Sequence, residues 1–369
     1  MANNEIKMRI QTIARYIDQP AVLSKLHSKM PAVLGCVGAG VWGYESFHKN
    51  HKKRHAHNFS EHTKENKNYK PIKNAITIGA TVGASLGAAR GLKIGRKTIF
   101  KGLLEYTPLE TVLKNQSKAI DKYLNNDKNI LSDKLAQTLK NAKDRAFTLE
   151  DIEIISKYLP KNKTSKAFLQ EILPSPENLN SKEIFSEIKR LSLIGLIPVA
   201  GGVAGGITAD YLTQTNSKKN TANKVKEGIY QYLANIFLCN VGAGAALWGS
   251  EKLVKSNIIK PLTPVKKLGV ILGGITATGI LGGSMIANYI SKKFINPLFS
   301  QKGGKKENIY SERKPEPLDI ALHADDIATA GVLSGFKWIE PALPVMYFIS
   351  GYRAGIGYRN NGKTTYSRA

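Results

Sequence analysis

Uncharged apolar stretches alternate along this chain with stretches crowded by lysine and arginine, and the lengths of the uncharged stretches set the first expectation. Between Lys267 and Lys292 lie 24 residues without a charge. At 1.5 Å rise per residue a helix of that length spans about 36 Å, more than a ~30 Å hydrocarbon core. Glu227 and Glu251 bound 23 uncharged residues, and Arg190 and Asp210 bound 19; both fall within the roughly 17 to 25 that a crossing helix needs. Met30 to Tyr44 and Asn74 to Ala89 hold 15 and 16 residues, lengths that suit a short crossing or a re-entrant hairpin. A sixth window, Ile327 to Tyr352, is interrupted by Lys337, Glu340, Pro341 and Pro344 and reads as a broken helix. The expected fold class is all-α: a polytopic helical membrane protein of about six Gly-zipper apolar helices, roughly four to six of them spanning, with a small extramembrane helical bundle.

Small residues recur four apart in these windows. The ridge candidates are Gly79, Gly83, Gly87 and Gly91, continuing to Gly95, then Gly201 and Gly205, and then Gly279 and Gly283. In lipid, apolar burial gives helices little reason to associate, and close backbone approach through small residues takes its place. A water-soluble core would gain nothing from them, because each interior Gly costs about 1 kcal/mol against Ala. The competing explanation is chance in a chain with 33 Gly among 369 residues.

The polar remainder divides the chain into four segments. Residues 1–30 place Ile6, Ile10, Ile13 and Ile17 on one stripe, an amphipathic N-terminal helix suited to a membrane interface. Residues 31–104 form an apolar hairpin around a polybasic, His-rich loop. Residues 105–190 carry helix start signals at Thr107-Pro-Leu-Glu110 and Thr148-Leu-Glu-Asp151, and their apolar stripes predict an extramembrane helical domain. Residues 191–369 hold a four-helix membrane portion and a basic tail. Leu34 to Glu45 reads much like Leu238 to Glu251. This similarity suggests two units of three spans, the inverted-repeat arrangement of many transporters, and compositional convergence accounts for it equally well.

Charge then narrows the partners. Lys and Arg number 54 against 28 Asp and Glu, a formal net charge of +26. The excess is spread over every loop without a paired aromatic platform, which argues against nucleic acid and for a bilayer with anionic lipid headgroups. Basic residues near the span ends balance on the two faces, so they assign no orientation. Two Cys exclude a disulfide framework.

The sequence patterns that suggest chemistry are weak. Gly38-Ala-Gly40-Val-Trp-Gly43 matches a dinucleotide fingerprint, but no acidic strand end follows it. Gly357 to Thr364 matches a P-loop pattern without room for the helix such a loop needs. Five His between His48 and His62 share their loop with many Lys and Arg, which repel a cation. No Ser/His/Asp or Cys/His constellation is present, so no enzyme activity, cofactor or metal is expected.

Polar side chains within the windows are the remaining clue, since they are costly in hydrocarbon unless they meet a partner or a cavity. They are Asp210, Asn235, Asn240, Asn288, Lys337, Glu340 and Arg353. Lys337 is spaced to pair with Glu340, and Arg353 could meet Asp210. Two functions follow for an integral protein of the bacterial inner membrane or another cellular membrane. One is a 3+3 repeat transporter or channel for a small solute, with these groups around a wet cavity. The other is a membrane scaffold or lipid-associated structural protein that buries them in dry pairs and recruits a protein partner through residues 105–190. The oligomeric state is not encoded in any of these patterns.

Overall fold

A computed structural model describes residues 12–13, 15–47, 70–102, 107–126, 131–173, 181–216, 218–262, 264–299, 324–333 and 337–357. In chain order the elements are α1 (Pro20–Phe47), α2 (Lys70–Arg90), β1 (Gly91–Ile94), β2 (Lys97–Lys101), α3 (Leu109–Leu124), α4 (Asp133–Asn141), α5 (Leu149–Tyr158), α6 (Lys163–Ile172) and α7 (Ser181–Leu212). There follow α8 (Lys218–Tyr232), a π turn (Leu233–Phe237), α9 (Leu238–Lys255), α10 (Pro264–Ile275), a π segment (Thr276–Gly283), α11 (Ser284–Ile290), a π segment (Ser291–Ile295) and α12 (Asn296–Phe299). The chain closes with α13 (Ala324–Leu333), a 3-10 turn (Lys337–Ala342) and α14 (Leu343–Ile356). The described chain is thus mostly helical, as the apolar periodicity predicts.

Two compact units emerge, and they divide the chain differently from the four segments read in the sequence. The first comprises Met1–Met30, Leu104–Asn178 and Ser334–Pro341; the second comprises Pro31–Leu103, Leu179–Leu333 and Ala342–Ala369. The described residues of the N-terminal segment, 12–13 and 15–30, therefore group with the 104–178 helices.

In the first unit, Ile120, Tyr123, Leu135, Leu139, Phe147, Ile152, Ile155 and Phe168 form one buried cluster. Tyr123 stacks on Phe168 at 4.0 Å between ring centroids, and its hydroxyl shares a 2.6 Å hydrogen bond with Ser165. Caps fix the helix starts. Ser132 accepts from the Leu135 amide, Asn162 from the Ser165 amide, and Thr148 and Asp151 close a reciprocal capping box. Thr107 departs from expectation. No side chain caps α3, and Thr107 instead accepts from the Ser24 hydroxyl through its carbonyl, at 2.8 Å.

Gln19, 1% exposed, ties the N-terminal segment in. Its amide nitrogen donates to the Phe147 carbonyl at 2.9 Å and its amide oxygen accepts from the Phe147 amide at 2.8 Å. Gln116 donates to the carbonyls of Ala142 and Arg145, holding the turn after α4. Beside it Arg145 meets Asp151. The hydrogen bond to Asp151 raises the Arg145 guanidinium above its ordinary value. Burial alone would raise the Asp151 carboxyl, but Arg145 and the Thr148 amide and hydroxyl outweigh it and hold it below the usual carboxylate range.

In the second unit, α2, α7 and α14 pack at backbone distance. A Cβ on Gly202 would overlap the Gly351 carbonyl, and one on Gly206 would overlap the Gly355 carbonyl. Gly201 and Gly205 lie against the side chains of Ala84 and Ala80. Further along, Gly283 faces Ala234, with 2.7 Å from an added Cβ to its Cα, and Gly279 lies on Cys239.

The α2 ridge is rotated from where the sequence places it. Gly79, Gly83 and Gly87 have no neighbour within 4 Å of an added Cβ. The buried face is Thr77, Thr81, Ser85 and Ala88. Each of the three hydroxyls donates to the carbonyl four residues back, so these small polar side chains enter the contact with their hydrogen bonds already made. The helix also ends earlier than expected, at Arg90. Gly91 (φ 77) and Gly95 (φ 60) serve a β-hairpin instead of a ridge. From Leu92 to Ile94 apolar and basic residues alternate with a period of two, and Gly95 occupies the first turn position, where two-residue hairpin loops favour glycine.

Among the described residues two helices are long and apolar enough to cross a membrane: Phe185–Leu212, 28 residues, and Asn220–Lys255, 36 residues. The Lys267 to Lys292 window, the longest in the sequence, is helical but broken by π segments and is not among them. Large apolar side chains of this unit point outward, including Tyr211 at 71%, Met285 at 75% and Leu298 at 76% exposed.

Candidate functional site

One group of buried polar residues in the second unit gathers at the C-terminal end of α7. Asp210, on the last turn of α7, is 1% exposed. One carboxylate oxygen meets Lys73 of α2 at 2.5 Å and the other meets Lys224 of α8. Thr215 adds a hydroxyl at 3.3 Å. The chain turns tightly here: the Thr215 amide donates to the Asp210 carbonyl at 2.9 Å, and Gln214 takes a positive φ of 54.

Lys224 reaches Asp210 because glycine clears its way. Its Cε would lie 2.8 Å from a Cβ on Gly206, and its Cγ 3.1 Å from one on Gly357. Gly357 caps α14 in the left-handed region, with φ 63, as helix C-termini favour. The aliphatic stem thus lies over backbone from α7 and α14 while the ammonium closes on the carboxylate. Helices α2, α7 and α8 are joined at one carboxylate.

A second polar line runs up α8 into the π turn. Gln231 donates to Glu227 at 2.8 Å and Asn235 donates to Gln231 at 2.8 Å, a ladder at four-residue spacing with all three members buried. Asn240 donates to the Ser192 hydroxyl at 3.2 Å, linking α9 to α7. Arg353 is buried on α14 at 6% exposed, but Asp210 is held by Lys73 and Lys224 and not by Arg353. Asn288 is half-buried on α11. Glu340, 3% exposed, belongs to the first unit. The Lys337 side chain lies outside the described residues, and so does its expected pairing with Glu340.

Sequence reasoning missed Lys73, Lys224, Glu227, Gln231 and Ser192. Lys73, Lys224 and Glu227 flank apolar windows, where a charge reads as the boundary of a span and not as part of its interior.

The other candidates resolve less into sites. The Gly38-to-Gly43 motif lies inside α1, with no strand before it. A Cβ on Gly38 would press on Ile78 and Val82 at 3.1 and 3.2 Å, so this glycine is a helix contact. The His48 to His62 loop and the P-loop pattern beyond Gly357 lie outside the described residues. Cys36 is exposed and Cys239 buried, the latter donating to the Ala234 carbonyl at 3.1 Å. Among the described residues no group of three or more His, Cys, Asp or Glu is placed to hold a metal. In the first unit a groove of about 390 Å³ is lined in part by Thr107, Asn115, Gln116, Lys118 and Glu171. Its Gln116 amide group is already committed to two backbone carbonyls.

Compared with protein-family models, with curated proteins and with solved structures, the chain matches none.

Proposed function

We propose that the chain is an integral membrane scaffold, a body of closely packed helices that carries a helical domain for a protein partner. The observation that carries this reading is the state of Asp210, whose two oxygens are taken by Lys73 and Lys224 in direct contact. A transport path needs polar groups that exchange water or solute for one another, and carboxylates in such paths face cavities. Here Asp210 is committed to two lysines, one Glu227 oxygen to Gln231, and Asn240 to Ser192. The Asp210 and Asn240 contacts join different helices and hold them in register. The outward apolar side chains and the backbone-distance crossings fit a lipid surround, where packing of small residues replaces the hydrophobic drive between helices.

The test combines extraction with accessibility. The scaffold reading expects the full chain to stay with membranes through alkaline carbonate. It also expects Gln231→Cys and Ser192→Cys, each in a Cys36→Ser/Cys239→Ala background, to resist a membrane-impermeant thiol reagent that labels the exposed control Ser256→Cys. Labelling of both interior positions at the control's rate would mean a wet path and favour a solute carrier. Release by carbonate would overturn the membrane assignment itself.

A further inference from the structure

The element the sequence pattern did not foresee, the hairpin after α2, carries an inference of its own. Leu92, Lys93, Ile94, Arg96, Lys97 and Ile99 are all exposed, with Ile94 at 65% and Ile99 at 56%. The ladder pairs Leu92 with Phe100, Lys93 with Thr98 and Ile94 with Lys97, with a bulge between the first two pairs, so Leu92, Ile94 and Lys97 share one face and Lys93 and Thr98 lie on the other. No acidic residue occurs between Glu65 and Glu105.

The root of the ribbon is fixed and its tip, at Gly95 and Arg96, is exposed. Arg190 on α7 donates to the Gly102 carbonyl at 2.7 Å, and Gly102 sits so close to Ala89 and Gly91 that no side chain would fit. A two-stranded ribbon alone in water is marginally stable, and uncovered isoleucines add to that cost. At about 3.3 Å per residue its strands of four and five residues reach roughly half of a ~30 Å hydrocarbon core, too short to cross. Lysines along both strands disfavour the addition of a third strand, and exposed isoleucines do not suit a nucleic-acid groove. Aliphatic side chains flanked by unopposed cations match the interface of a membrane with anionic phosphates.

We propose that the hairpin Gly91–Lys101 lies on an anionic lipid surface, with Leu92 and Ile94 entering the headgroup boundary, Lys97 on the same face and Arg96 at the turn contacting lipid phosphates, and Lys93 adding to the attraction from the far face. This rests on the membrane reading for the place of α2, and adds to it a specific lipid-binding element.

The experiment uses the full chain, free of its two native cysteines, in nanodiscs of phosphatidylcholine alone or mixed with phosphatidylglycerol. An environment-sensitive fluorophore is attached at Ile94→Cys or, on the opposite face, at Thr98→Cys. In anionic discs the probe at position 94 should shift to the blue and be quenched by brominated lipid. The probe at 98 should respond less, and high salt should reverse the shift. Each cation near such a surface is worth about fivefold in partition, so Lys93→Gln/Arg96→Gln/Lys97→Gln should lower the bound fraction on the order of a hundredfold. An equal signal in both lipid compositions, or a triple variant that keeps the shift, overturns the proposal. So does a larger response to duplex DNA than to lipid. Carbonate extraction separates the two ideas: a chain that stays in the membrane without the shift removes the hairpin's role alone, and a chain that washes off yet keeps the shift removes only the embedded body.

Discussion

Asp210→Asn is the substitution with the most to say about the second unit. It keeps the size of the side chain and removes the charge that Lys73 and Lys224 share. Asp210 is 1% exposed, the Lys224 side chain 3% and the Lys73 side chain 19%. Lys73 can therefore turn toward solvent, while Lys224, buried against Gly206 and Gly357, loses this carboxylate. Breaking a buried pair from one side costs about 3–5 kcal/mol, and for a unit of this size that lowers the unfolding midpoint on the order of 10 °C. Lys224→Met should cost less, since its stem still covers the two glycines and Asp210 keeps Lys73. The double variant should be more stable than the sum of the singles, with a coupling of about 2 kcal/mol or more. Thermal unfolding of the purified full chain at fixed detergent, followed by tryptophan fluorescence, measures all four corners of the cycle. An Asp210→Asn cost below about 1 kcal/mol, or strictly additive singles, would refute the claim that this carboxylate holds the three helices together.

Other substitutions test other elements. Gly202→Leu should prevent α7 and α14 from closing and abolish folded protein, whereas Gly83→Leu, with open space around it, should be tolerated; expression and size-exclusion profiles of the two decide the rotation of α2. Gln19→Ala strips both partners from the buried Phe147 peptide and should cost about 1–3 kcal/mol, read as faster hydrogen exchange at the Phe147 amide. Thr148→Ala should cost about 1 kcal/mol through the lost cap, measured by the unfolding midpoint. The Asp151 carboxyl is lowered in the folded chain, so the unfolded state takes up its proton first. Its contribution is full above the ordinary carboxylate value of about 3.9 and is lost as pH falls through the lowered folded value. Asp151→Asn should remove that part of the acid dependence, read as a shallower fall of the unfolding midpoint with pH across the same range.

The sequence showed most of what is local. The helical class follows from apolar periodicity, the Thr148 capping box from residues three apart, and the two long apolar helices from runs without charge. What stayed hidden depends on rotation and on distance along the chain. The four-residue glycine row of α2 marks a face without saying which face meets a neighbour, and Thr77, Thr81 and Ser85 won that place because their hydroxyls bond their own helix. The Gln19 contact joins residues 128 apart, beyond any local pattern. The hairpin was hidden by its glycines: Gly91 and Gly95 continue the helical spacing of Gly79, Gly83 and Gly87, and only the period-two alternation between them distinguishes a ribbon.

The same ambiguity explains the site. A charged residue beside an apolar window has two physical readings, a headgroup anchor that ends the span or an interior ion whose partner comes from another helix, and composition does not separate them. Lys73 and Lys224 each lie beside such a window, and Asp210 bounds another. The Lys224 contact forms because glycine at 206 and 357 lets its stem lie against backbone within reach of the carboxylate. Close approach and buried charge are therefore one feature here. A side chain at position 206 would meet the Gly355 carbonyl as well as the Lys224 stem, so Gly206→Ala should part α7 from α14 and displace Lys224 from Asp210 together, exceeding the Asp210→Asn defect alone, and the two should be less than additive when combined.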